Sequence, residues 1–253
     1  MPVPATPKDD LKLLEVFSSL QGEGELVGRR QIFLRLAGCN LNCAYCDTDF
    51  SIQPFCRVED APGSGRFRNI PNPVSLEILT DILSDWVSRG KGVHHSISLT
   101  GGEPLLQAAS LSTWAAALRD ILPLHLETNG TLPGQLAPLL PHLDWISMDV
   151  KLPSVAGQPA LWKEHRGFLA LASRRSCWVK AVVGVRTPVD EIIALATMVH
   201  DVAPEVSVIL QPVTIQDRVE MTAAQLLVLQ TAVARIHADV RVIPQTHAFL
   251  GVL

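Results

Sequence analysis

Short apolar runs recur along the chain at 32–36, 96–100, 124–127, 145–150, 178–183, 206–211 and 240–243. They are rich in β-branched residues, leucine or tryptophan and too short for stable helices, so they predict buried β-strands. Between them the apolar positions shift to helical spacing. In 75–86 these are Leu76, Leu79, Ile82, Leu83 and Trp86, with Ser75 placed to cap the start. Segment 113–122 repeats the pattern through Trp114, Leu118, Ile121 and Leu122, and 189–202 and 222–237 do so again. Strand–helix alternation of this kind predicts an α/β chain, a parallel sheet with crossover helices. An open or partial (β/α) barrel is the first expectation, and a flat doubly wound sheet is the alternative. Segment 54–73 is rich in Pro, Gly and Arg and predicts an exposed loop or insertion. Segment 151–176 mixes Pro, Gly and basic residues, with room for a short helix. No internal repeat or linker divides the chain, so 1–253 is expected to form a single domain.

Composition narrows the class. Hydrophobic residues make up 47% of the 253, enough for a sizeable core. The formal net charge of −4 gives no basic surface for nucleic acid. No apolar run approaches the ~20 residues of a membrane span. The stretch from Met1 to Asp10 lacks the layout of a signal peptide. A cytoplasmic, reducing setting is therefore expected, and it bears on the cysteines. The five lie at 39, 43, 46, 56 and 177. An odd count with three packed into one short segment does not suit a disulfide framework.

That segment is Gly38-Cys39-Asn40-Leu41-Asn42-Cys43-Ala44-Tyr45-Cys46-Asp47-Thr48, directly after the strand expected at 32–36. Thiolates suit iron–sulfur clusters and zinc. Three ligands on a four-iron cube leave one iron open to a substrate. Zinc would need a fourth ligand, from Cys56 or a histidine. A second motif, Thr100-Gly101-Gly102-Glu103-Pro104, ends the strand at 96–100. Adjacent glycines let backbone approach a ligand closely, and Glu103 can accept a hydrogen bond from an ammonium group. Polar residues also end the strands around Glu127–Gly130, Ser147–Lys151 and Gln211–Thr214, and in a barrel such groups face one mouth.

The spacing Cys39-x3-Cys43-x2-Cys46, with Tyr45 beside the third cysteine, resembles the radical S-adenosylmethionine (SAM) superfamily, and Gly101–Pro104 resembles its motif for the cofactor's amino group. The resemblance implies a 4Fe–4S cluster on Cys39, Cys43 and Cys46. SAM would chelate the open iron and be cleaved reductively to a 5′-deoxyadenosyl radical. The protein supplies placement and exclusion of water. An external reductant, such as flavodoxin or ferredoxin, is implied.

Phe17-Ser18-Ser19-Leu20-Gln21-Gly22-Glu23-Gly24 and Gly28–Cys39, with Cys46-Asp47-Thr48, narrow the resemblance to the 7-carboxy-7-deazaguanine synthase family of queuosine and deazapurine biosynthesis. It is dense over 15–50 and returns in pieces as far as Arg241–Gln245. It implies a lyase that turns 6-carboxy-5,6,7,8-tetrahydropterin into 7-carboxy-7-deazaguanine with release of ammonia, a magnesium ion and a homodimer. Leu20, Gln21, Gly22, Arg35, Thr100 and Pro244 would meet the substrate. Leu20 would supply an apolar wall, Gln21 and Gly22 hydrogen bonds, and Arg35 a fork for the carboxylate. Arg35 could equally be a structural ion pair. Thr48 would ligate magnesium, with Asp47 and Asp49 as rivals. Tyr45, Cys46, Asp47, Gly102, Glu103, Ser147, Asp149, Lys151 and Gln211 would contact SAM. Cys56 and Cys177 are too few for a second cluster, and Cys177 is expected as a small core residue. His94 and His95 are expected at the surface or in packing, and His247 near the mouth without a catalytic role. Two other functions remain open: an activase that makes a glycyl radical on a partner protein, and a zinc-stabilised binding module.

Overall fold

The computed structural model describes residues 10–46 and 49–252. The chain opens with strand β1 (Leu13–Leu20), which turns back antiparallel to β2 (Arg30–Leu36). A hairpin follows, β3 (Phe55–Glu59) and β4 (Phe67–Pro71). Strands and helices then alternate. They are α1 (Leu76–Arg89), β5 (Ser96–Gly101), α2 (Ala108–Ile121), β6 (Leu124–Thr128), α3 (Pro133–Leu139) and β7 (Trp145–Val150). After these come α4 (Pro153–Ala156), α5 (Trp162–Ala172), β8 (Ser176–Val183), α6 (Val189–Val202) and β9 (Ser207–Pro212). A small ribbon, β10 (Thr214–Ile215) with β11 (Arg218–Val219), leads to α7 (Ala223–Ala234), β12 (Val240–Val242) and α8 (Thr246–Leu250).

Among the described residues the main sheet has ten strands, in the order β12-β9-β8-β7-β6-β5-β2-β1-β3-β4. From β2 to β12 every neighbouring pair is parallel. The end strands β12 and β4 are not neighbours, so the barrel stays open, as expected of a partial (β/α) barrel.

Each parallel strand divides its side chains between two environments, as a period of two requires. On β8, Val179, Ala181 and Val183 join the large core under the helices. Trp178 instead packs with Leu26 and Ile209 inside the barrel, and Lys180 points the same way into the cavity described below. That inner face is unusually polar: Gln31, Ser96, Ser98, His125, Ser147 and Ser207 are all buried. A sheet buried on both faces needs no such residues for packing, so they mark the interior as built for something else.

Strands at 145–150 and the helix at 189–202 fall where the apolar pattern places them. Ser75 caps α1 by accepting from Ile78 N at 3.4 Å. Thr222 and Gln225 form a reciprocal cap on α7. Segment 54–73 differs from expectation. It is not a loop but the β3–β4 hairpin, docked parallel on β1 through Glu15↔Arg57 and Val16↔Val58. Cys56 and Val58 are fully buried on alternate positions, a short period hidden by the surrounding Pro, Gly and Arg. The Glu59 carboxylate organises the turn, accepting from Gly63 N at 2.9 Å and Gly65 N at 2.7 Å. Segment 151–176 forms α4 and α5, and α5 buries Phe168, Leu169 and Ala172.

Candidate active site

The carboxyl ends of the parallel strands surround a cavity of about 270 Å³, the scale of a small-molecule site rather than a macromolecular groove. The cysteine loop that follows β2 forms one rim. It is fastened from several sides. Asn129 Nδ2 donates to Asn40 Oδ1 at 2.8 Å, and Asn40 Nδ2 donates to Thr131 Oγ1 at 2.9 Å. Ala44 N donates to Ala156 O at 2.9 Å, and Gln158 Nε2 to Asn42 O at 2.5 Å. Thus the end of β6 and the 151–176 segment both hold the loop.

Cys39, Cys43 and Cys46 all line the cavity, and burial pushes the Cys39 and Cys43 thiols up from their ordinary value. Cys56 faces the core from β3 and Cys177 is half-buried against the core, each with its thiol pushed up to about 12 by burial. Among the described residues no three His, Cys, Asp or Glu are drawn together as one metal ion would need. A four-iron cube spreads its thiolates more widely than a single ion does. Facing the loop, Gly102 is packed so tightly that a Cβ there would fall 1.9 Å from Gly38 O and 3.1 Å from Cys39 Cβ. Opposite the cysteines, Asp149 Oδ1 and Gln211 Oε1 are buried acceptors without a protein donor. Buried acceptors of this kind call for a ligand that donates. Thiols, close backbone and waiting acceptors together fit a cluster with SAM.

The sequence expectations are largely brought together. Leu20, Gln21, Gly22, Arg35 and Thr100 line the cavity, and so do Tyr45, Gly102, Ser147, Asp149, Lys151 and Gln211. Two do not. Glu103 is fully buried behind the rim, where it accepts from Leu105 N at 3.0 Å, Thr128 Oγ1 at 2.8 Å and Asn129 N at 2.8 Å. Pro244 is half-buried outside the lining, and His247, three residues on, is in it. Asp47 and Thr48 lie outside the described residues. Asp49 is exposed and accepts from Ser51 N.

Two side chains are more committed than the sequence suggests. Gln21 Nε2 donates to Gln31 Oε1 at 2.9 Å and Glu127 Oε1 at 3.0 Å, and its Oε1 accepts from Glu23 N at 3.0 Å. Its amide hydrogens are both used, so it acts mainly by holding Glu127 and the loop. Arg35 Nε stands 3.3 Å from Glu15 Oε2, and its guanidinium lies over the Phe17 ring at 5.5 Å. It is therefore both an ion-pair partner and part of the cavity wall. Phe17 stacks on Phe33 with centroids 5.0 Å apart, and both rings line the cavity as a flat apolar wall.

Charges in the cavity are paired internally. Lys151 Nζ lies 2.8 Å from Asp149 Oδ2 and Lys180 Nζ lies 3.2 Å from the same oxygen. Lys180 also pairs with Glu23. Burial alone would raise the Glu23 carboxyl, but Lys180 and the bond from Gln245 hold it at about 2. Glu127 is the reverse case: burial raises it, and Ser98 and Gln21 only partly oppose that. His125, 4.0 Å from Glu127, is driven down to about 3 by burial and stays neutral. From sequence no site role falls to Lys180, Phe17 or Phe33, although the two phenylalanines fall within the motifs that carry the family resemblance. Lys180 had a signal of its own, a lysine inside an apolar strand.

A three-cysteine loop at the mouth of a partial barrel defines the radical SAM class, and the model of the radical SAM superfamily matches residues 34–221. The 7-carboxy-7-deazaguanine synthase of Geobacter sulfurreducens is 45% identical over 249 residues, 97% of this chain and 99% of the relative. That of Thermococcus kodakarensis is 35% identical, covering 95% of this chain and 98% of its own. The crystal structure of QueE from Escherichia coli superimposes with a TM-score of 0.58 at 24% identity, over 94% of this chain and 95% of that one. The chain belongs to the 7-carboxy-7-deazaguanine synthase family.

Proposed function

We infer that this chain is a lyase that converts 6-carboxy-5,6,7,8-tetrahydropterin to 7-carboxy-7-deazaguanine with release of ammonia, using a 4Fe–4S cluster, SAM and magnesium. The observation that carries the reading is one cavity lined by Cys39, Cys43 and Cys46 on one side and by Leu20, Gln21 and Arg35 on the other. When bound, the cluster and SAM supply a 5′-deoxyadenosyl radical.

The chain's own groups bind and orient. Cys39, Cys43 and Cys46 would hold the cluster. Gly102 lets the end of β5 lie against the loop that would carry it, and Asp149 Oδ1 and Gln211 Oε1 would offer acceptors to SAM, with Tyr45, Ser147 and Lys151 also in the lining. The Phe17–Phe33 wall and Leu20 match a flat heterocycle, and Thr100 and the Gly22 backbone lie within its reach. Arg35, oriented by Glu15, would face the substrate carboxylate. Glu127, whose carboxyl is raised by burial, lies at the polar side of the cavity within reach of the heterocycle's edge. Thr48 remains the proposed magnesium ligand. Glu103 is reassigned from a ligand contact to a brace for the 128–129 turn.

The partner set follows: a small pterin, a one-electron donor of the flavodoxin or ferredoxin kind, a second copy of the chain, and a cytoplasmic setting. Among the described residues no helix is long and apolar enough to cross a membrane. The test is anaerobic reconstitution with iron, sulfide, reductant, SAM and magnesium. Release of 7-carboxy-7-deazaguanine from the carboxy-pterin is expected. Cleavage of SAM without that product would overturn the substrate assignment.

A further inference from the structure

We propose that Lys180 is a positioning residue that latches the carboxyl-terminal segment onto the mouth of the cavity through Glu23. Only the substrate arm of this inference rests on the synthase reading.

Lys180 projects from β8 into the barrel interior and is 6% exposed. Its ammonium bridges Glu23, in the loop after β1, and Asp149 at the end of β7. Glu23 Oε1 in turn accepts from Gln245 Nε2 at 3.0 Å. One residue on, Thr246 N donates to Gly22 O at 2.9 Å. A chain of contacts therefore runs Asp149–Lys180–Glu23–Gln245, from the cavity wall to its lip.

The lip needs such a fastening. Helix α8 has no buried residue, and Phe249 and Leu250 are 48% and 55% exposed. Hydrophobic burial therefore contributes little to holding it. Yet α8 brings His247 into the cavity lining, pressed against the loop: a Cβ on Gly22 would fall 2.1 Å from His247 Nδ1. Polar bonds at 245 and 246 hold this segment, and Glu23 is the acceptor for one of them. Without Lys180, Glu23 and Asp149 would be two buried carboxylates with one fewer cation between them. Glu23 would then take a proton or turn towards water, and either change loosens Gln245.

The test uses the purified cluster-bearing chain and three variants. Lys180→Met removes the charge and the donors. Lys180→Gln keeps donors for Glu23 and Asp149 and guards against misfolding, and Lys180→Arg keeps the charge. The first readout, amide hydrogen exchange at Thr246, needs neither SAM nor substrate. Protection there should fall about tenfold in Lys180→Met, and fall in the same direction in Lys180→Gln. The second readout is kinetic. KM for the carboxy-pterin should rise about tenfold while kcat falls less, because the lip binds rather than reacts. Lys180→Arg should keep both within about threefold, since its fork can span two carboxylates. Iron content should not change. Unchanged Thr246 exchange in both Met and Gln variants overturns the latch. Faster exchange with an unchanged KM overturns the positioning role. If the unsubstituted chain makes no product while Thr246 responds as stated, the synthase reading fails and the latch stands.

Discussion

Gln21 Nε2 donates to Glu127 Oε1 at 3.0 Å, and the Ser98 hydroxyl donates to the same oxygen at 2.5 Å. These donors do not outweigh burial, which raises the Glu127 carboxyl above its ordinary value of 4.5. The folded chain therefore keeps this proton to higher pH than the unfolded chain does. The resulting stability is complete below the unfolded pKa and is lost as pH rises through the folded one. Glu127→Gln cannot lose a proton, so it should escape this decline. Melting temperatures followed upward from about pH 4.5 should shift in favour of the variant as pH rises, and the shift should level off once the folded carboxyl has ionised. Parallel curves would show that Glu127 is ionised in the fold.

Gly102 touches the cysteine loop more closely than any Cβ could tolerate, since one there would fall 1.9 Å from Gly38 O. Gly102→Ala must push the loop or the β5 end aside. Iron bound after reconstitution should fall by at least about half, because misplacement near 1 Å is enough to disable a site. A Cβ on Gly134, in α3, would meet nothing within 4 Å. Gly134→Ala should leave iron binding alone and stabilise the helix by about 1 kcal/mol. Equal iron in both variants would remove the packing argument.

The five cysteines separate into two sets by position. Replacing Cys39, Cys43 or Cys46 with Ala should abolish the brown absorbance of the reconstituted cluster. Cys56→Ala and Cys177→Ala should retain it. In cluster-free protein, exposed Cys46 should alkylate first, and Cys56 and Cys177 last, since burial holds both thiols at about 12. Loss of the cluster in Cys56→Ala would favour a four-thiol site instead.

The parallel strands were legible because each has a continuous apolar face towards the helices. The cysteine loop was legible because its chemistry is local in sequence. The β3–β4 hairpin was not, since its apolar contribution to the core is short, mainly Cys56 and Val58 with Ile70 beside them, and turn residues surround them. A loop would tolerate change there to within about 0.5 kcal/mol. Val58→Asp instead places an unpaired carboxylate in the core and should lower stability by several kcal/mol, on the order of a broken buried pair. An unaltered denaturant midpoint would return the segment to the surface. The bonds that Lys180 and Gln21 make were obscured for a different reason. Their partners are far away in sequence, Glu23 for one and Glu127 for the other, and only the fold brings them together.

Glu103 is buried behind the cavity rim, outside the lining that its motif neighbours Gly101 and Gly102 share. Its carboxylate collects two backbone N–H groups and the Thr128 hydroxyl, and Asn129 then passes that order to Asn40 in the cysteine loop. If Glu103 met the ammonium of SAM, Glu103→Ala would weaken SAM binding and leave the ligand-free protein unharmed. The buried bonds require the opposite. Removing the carboxylate strands Leu105 N and Asn129 N in the core, at about 1–3 kcal/mol for each unmet donor, without strict additivity. Thermal unfolding of Glu103→Ala without SAM should therefore fall by several degrees. Iron retention should fall with it, because Asn129 no longer steadies Asn40. Glu103→Gln keeps one of the two acceptor oxygens and should lie between Glu103→Ala and the unsubstituted chain. A normal melting curve with a selective loss of SAM affinity would return Glu103 to the cavity.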